Sequence, residues 1–180
     1  MNKRVFIISL LLVLCLVTFA PSAVIAKNGQ QSGGHDDFAA GGMITGIEDT
    51  NIGVNAFPCG NSGRWRVDDR DIYGVLEGDV NGAFILTYDA NVDITTQAGT
   101  LHGTMTAGDT SFKVNGKIQP LELVPTPLGF DLPKLTITGH WNIEGAPGRG
   151  TFEAWLIFIP DEYGHVVQII ASAFTMTGSW

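Results

Sequence analysis

From Met43 to the C-terminus, apolar and polar residues alternate with a period of two. The run 100–106 puts Leu101, Gly103 and Met105 on one face and Thr100, His102, Thr104 and Thr106 on the other. The run 111–118 groups Phe112, Val114, Gly116 and Ile118 against Ser111, Lys113, Asn115 and Lys117. In 134–143, Leu135, Ile137, Gly139, Trp141 and Ile143 oppose Lys134, Thr136, Thr138, His140 and Asn142. At the C-terminus Phe174, Met176, Gly178 and Trp180 oppose Ala173, Thr175, Thr177 and Ser179. That pattern belongs to strands with one face on a core and one in water. Further strands are expected near 43–48, 64–68, 72–80, 83–90 and 150–159, with one more over 165–179. No window carries a helical period.

Turn residues separate the runs. Asn81-Gly82 is a short hairpin signal between 72–80 and 83–90. Gly108-Asp109 follows one strand, and Asp161-Glu162-Tyr163-Gly164 follows another closed by Pro160. Asn115-Gly116 fits either a turn or the middle of a strand. Pro120, Pro125, Pro127 and Pro133 make 119–133 an irregular or edge segment.

Five runs repeat the arrangement apolar, any, Gly, any, apolar: Leu76-x-Gly78-x-Val80, Leu101-x-Gly103-x-Met105, Val114-x-Gly116-x-Ile118, Ile137-x-Gly139-x-Trp141 and Met176-x-Gly178-x-Trp180. Each glycine falls on the apolar face. A bare inward position lets a strand bend and opposite walls approach, which closing a small barrel requires. The expected fold is therefore all-β, a closed antiparallel barrel of about eight strands, in preference to an open sandwich.

The N-terminus has a different pattern. Lys3 and Arg4 precede an almost wholly apolar run, Val5 to Val17, and Ala23-Val24-Ile25-Ala26 offers a small-residue cleavage site. This is the layout of a secretory signal peptide over 1–26, which predicts a secreted, periplasmic or extracellular protein. Residues 27–42, rich in Gly, Gln, Ser and Asp, read as a flexible leader, and 43–180 as one barrel domain. After cleavage only Cys59 remains, so no intramolecular disulfide can form; a buried, inert thiol is the expectation, with pairing between chains as the alternative.

The chain has 180 residues and a net charge of −8. Removal of Lys3 and Arg4 makes the mature chain more acidic still. With no basic stripe it is not a nucleic-acid binder. No metal-ligand spacing, nucleophile elbow or phosphate loop is present, and no cofactor is implied. His35-Asp36-Asp37 lies in the leader and reads as a solvated tail. His102 and His140 fall on polar strand faces, and whether they approach depends on strand order. The cluster from Arg64 to Asp71 alternates in sign; it reads as ion-paired surface, with a ligand-binding rim of Arg64, Trp65 and Arg66 as the sharper alternative. Trp141, Trp155, Phe174 and Trp180 are the large rings that could line a cavity or simply fill the core.

The segment Gly148-Arg149-Gly150-Thr151-Phe152-Glu153-Ala154 resembles the G-x-G-x-F-x-x-A stretch of allene oxide cyclase and dirigent barrels. It departs in spacing, since Ala154 follows Phe152 by two positions and Trp155 stands at the third. The resemblance implies a calycin-like or allene-oxide-cyclase-like barrel that handles small apolar molecules, and it carries over no catalytic residue. Three functions follow as expectations. The first is a secreted barrel that binds a small apolar ligand or a partner without chemistry. The second is a cofactor-free isomerase or cyclase, and the third a small outer-membrane barrel, which the lack of an outward apolar band disfavours.

Overall fold

Short extended runs broken by glycine turns can satisfy their backbone N–H and C=O groups only by pairing with one another. A computed structural model describes residues 36–49, 53–126, 129–162 and 164–180. These form ten strands: β1 (Asp37–Ile47), β2 (Ala56–Pro58), β3 (Arg64–Gly78), β4 (Gly82–Asp93), β5 (Gly99–Ala107), β6 (Thr110–Ile118), β7 (Glu122–Pro125), β8 (Asp131–Ile143), β9 (Arg149–Pro160) and β10 (Val166–Ser179). Eight of them close an antiparallel barrel in the order β1-β10-β9-β8-β6-β5-β4-β3, with β3 returning to β1. β2 pairs with Trp65–Val67 of β3, beyond the point where β1 leaves that strand. β7 pairs with Asp131–Lys134 of β8, beyond the reach of β6.

The closed all-β barrel is the one expected from the alternation, with four adjustments. The runs 64–68 and 72–80 are one strand, β3, carrying a bulge between Val67 and Arg70. β1 starts at Asp37, inside the segment 27–42 read as leader, because Phe38 and Ala40 are core residues. The small residues that suggested flexibility let β1 pass close to β3: a Cβ on Gly42 would collide with the Val75 carbonyl. The 119–133 segment contains the edge strand β7. Gly78 is not inward: it sits exposed at the end of β3 with φ 128°. There its N–H donates to Asn81 Oδ1 and its carbonyl accepts from the Asn81 amide, so it shapes the hairpin. The expected signal peptide and His35 lie outside the described residues.

The other four repeated glycines face inward, and the ladder sets them beside bulky neighbours. Gly116 pairs with Gly139 under the ring of Phe152; a Cβ on Gly139 would lie 2.7 Å from Phe152 Cε1. Gly150 pairs with Gly178 under the indole of Trp141. Asn115-Gly116 is thus mid-strand. Phe38, Phe112, Trp141 and Trp180 cluster at the end where β1 begins, with ring centroids 4.7 Å apart for Phe38 and Trp141. Phe174 packs deeper, 5.1 Å from Phe84 and 5.9 Å from Phe152. Bare positions and large rings are therefore complementary parts of one wall.

Candidate functional site

The alternation that turns Leu101, Gly116, Gly139 and Phe152 inward turns their neighbours out. Strand order then lines those neighbours up across the sheet. One row runs His102, Asn115, His140, Thr151 and Thr177; the next runs Thr100, Lys117, Thr138, Glu153 and Thr175. Between them lies a hollow of about 950 Å³ on the outer wall, with Leu101, Gly116, Gly139 and Phe152 at its floor. Its position has a physical cause. Gly116 and Gly139 lack side chains on the lumen side, so the wall can draw in at that point, and Phe152 fills the space beneath. The channel crosses five strands, about 19 Å at the usual interstrand spacing.

A second hollow of about 430 Å³ runs beside it. The two share His102 and Asn115; the second is completed by Thr87, Thr104 and Lys113, with Tyr88, Gly103 and Val114 beneath and Asp69 also lining it.

Apart from Lys117, which only donates, and Glu153, which only accepts, the channel walls are made of groups that both donate and accept. Thr151 Oγ1 and Thr177 Oγ1 lie 3.3 Å apart, and the Gln119 amide donates to Thr138 Oγ1 at 3.2 Å. His102 Nε2 stands 3.5 Å from Asp89 Oδ2. Lys113 pairs with Glu144 and Lys134 with Glu122, whereas Lys117 makes no ion pair among the described residues. His102 and His140 stand in one row with Asn115 between them, two strand spacings apart, about 10 Å. Among the described residues no group of three or more His, Cys, Asp or Glu side chains is arranged to hold a metal.

A separate polar cluster sits inside the barrel. Arg70 is 1% exposed, and its Nε stands 3.8 Å from Glu48 Oε2 at the rim. Tyr88 is its partner across the β3–β4 ladder. Burial pushes the guanidinium pKa below its ordinary value and pushes the Tyr88 phenol up.

The rings singled out from the sequence do not surround one space. Trp141 and Phe174 are buried in the core, each 2% exposed. Trp155 points outward between buried Ala154 and Leu156, with Lys134 Nζ 5.8 Å from its ring centre. Trp180 is at the barrel end, 37% exposed. Arg64, Trp65 and Arg66 lie on the β2–β3–β4 extension, and alternation puts Trp65 on the face opposite the two arginines. Arg66 is engaged with Asp68 at 2.8 Å and lies over Phe57. Cys59 is exposed, contrary to the expected burial, because it follows the short strand β2 outside the closed barrel.

The polar faces that build the channel were readable from the alternation. Their assembly was not, because it depends on β6 lying beside β8 and β8 beside β9. No protein-family model matches the chain, and no curated protein or solved structure matches it.

Proposed function

We propose that this protein is an exported binding protein that seats a polar ligand in the channel across its outer wall, without chemistry. The observation that carries this reading is the division of the wall. Its inward positions are occupied by packed side chains such as Met105 and Phe112, both 0% exposed, while ten outward polar residues surround the hollow. Ligand pockets are concave, with convergent polar groups that fix orientation. An apolar ligand in the lumen would have to displace core rings. The alternation also runs apolar-in and polar-out over β5, β6 and β8, the reverse of a membrane-spanning barrel.

A second reading, a cofactor-free isomerase, draws on Arg70 and Tyr88, ionisable groups in an apolar barrel with shifted pKa values. It needs substrate space beside Arg70, whereas both hollows open on the outer wall.

Native mass spectrometry of the mature protein purified from its own host tests the binding reading. A polar species retained by the wild type and lost from Thr138→Trp, which fills the channel, is the expected result. The same species held equally by both proteins would remove the channel from the argument.

A further inference from the structure

We infer that the channel's ligand is a neutral, linear, hydroxyl-rich chain, a glycan, lying across the strands. This rests on the binding reading above and adds the ligand's class. Three features of the site carry it.

The first is what the walls offer. Threonine hydroxyls and an asparagine amide donate and accept hydrogen bonds in nearly equal measure. Sugar hydroxyls do the same, and a chain of them needs many short polar partners rather than one strong one.

The second is charge. Lys117 and Glu153 stand in the same wall, on either side of Thr138, so their formal charges offset. The whole chain carries −8, and a polyanion would meet that field without a basic stripe to hold it. The ligand's hydroxyls are therefore not accompanied by a run of carboxylates or sulfates.

The third is shape. Strands β5, β6, β8, β9 and β10 are each paired on both sides, so no strand edge is open at the channel and a peptide cannot add as another strand. What repeats along the channel is one outward side chain per wall per strand, every ~4.8 Å. That spacing is close to the length of one pyranose unit, so successive sugars meet equivalent pairs of polar groups. The channel has no exposed aromatic platform, so each unit adds little affinity and the gain comes from their number.

The test is calorimetric titration of the full mature protein with neutral gluco- and manno-oligosaccharides of two to six units. Affinity should rise with each added unit to about four units, the ~19 Å reach of five strands, and then level off. Thr151→Val with Thr177→Val keeps the β-branched shape and removes two hydroxyls; it should weaken the longest ligand by about three- to tenfold for each hydroxyl lost. Thr106→Val, on the outer face of β5 away from the channel, should leave binding unchanged, and thermal melts of both variants confirm that they fold. Tighter binding of polygalacturonate than of any neutral chain would overturn the inference. So would absence of neutral-chain binding in a protein whose retained species is still lost from Thr138→Trp; that result leaves the channel as a binding site and removes only the glycan. Neutral chains that bind Thr138→Trp as well as the wild type would overturn both.

Discussion

The indole of Trp141 occupies the space that a side chain at Gly178 would need: a Cβ there would lie 2.7 Å from Trp141 Cζ2. The same Cβ would collide with the Arg149 carbonyl of β9, which cannot move without breaking the ladder. Gly178→Ala is therefore expected to destabilise the barrel by about 1–3 kcal/mol, the usual range for overpacking. Trp141→Phe should cost as much or more, because the indole N–H donates to the carbonyls of Thr151 and Thr177 at 3.0 and 3.2 Å. Urea unfolding of both variants checks this, and wild-type stability for Gly178→Ala would mean that the wall is looser than the contact implies.

Ser172 completes the seam between β1 and β10. The paired ladder ends at Gly42 and Phe174. Beyond it, buried Ser172 Oγ accepts from the Ile44 N–H at 3.0 Å and donates to the Ile44 carbonyl at 2.7 Å. One hydroxyl thus stands in for two backbone bonds. Ser172→Ala should cost about 1–3 kcal/mol, because it leaves a buried amide without that acceptor. Amide exchange at Ile44 should accelerate more than at Phe38, which remains in the ladder; equal change at both would show that the seam is not held locally.

The barrel and its closure were legible in the chain because they rest on local facts. Period-two alternation gives strands, and glycines on the apolar face give bending, as Gly116 and Gly139 show. What depended on pairing was not legible. The outer channel exists only because His140 on β8 lies beside Asn115 on β6 and Thr151 on β9. β1 was misplaced because Gly41 and Gly42 read as linker when read alone, whereas the close approach of β3 is what requires them. Ser172 carried no signal at all, since a serine in a strand is ordinarily a surface residue.

Alkaline pH should unfold the protein partly through Tyr88. Burial raises its phenol pKa above the ordinary value, outweighing the opposite pull of the Arg70 charge. In the unfolded chain a tyrosine ionises near pH 10. The folded state then holds a proton that the unfolded state has lost, so Tyr88's contribution is fully present below about pH 10 and falls as pH rises through the folded pKa. Arg70, whose pKa is lowered by burial, acts in the opposite sense. Tyr88→Phe should flatten the loss of stability above pH 10, measured by melting temperature from pH 8 to 11; an unchanged alkaline slope would assign it to other groups, Tyr73 with its Asp71 hydrogen bond first among them.

The bulge in β3 decides which residues enter the barrel at its far end. Counting back by twos from Leu76 puts Ile72, Arg70 and then Asp68 on the inward face. The extra residue between Val67 and Arg70 breaks that count, so Val67 faces buried Ala90 and both aspartates stay at the rim. The inserted geometry falls on Asp69, with φ 49°, a conformation that aspartate tolerates better than most side chains. Its N–H donates to Asp89 Oδ1 at 2.9 Å, which anchors the turned-out backbone to β4. Asp69→Gly relieves the strain but gains unfolded-chain entropy, so its stability should stay within about 0.5 kcal/mol of wild type. Asp69→Val, β-branched at positive φ, should lose about 1–2 kcal/mol. Deleting Asp69 should cost no more than Asp69→Val, because Asp68 alone would then stand opposite Asp89 and Val67 would keep its place opposite Ala90. Urea denaturation of the three variants ranks them, and a deletion clearly less stable than Asp69→Val would show that the bulge does more than absorb one extra residue.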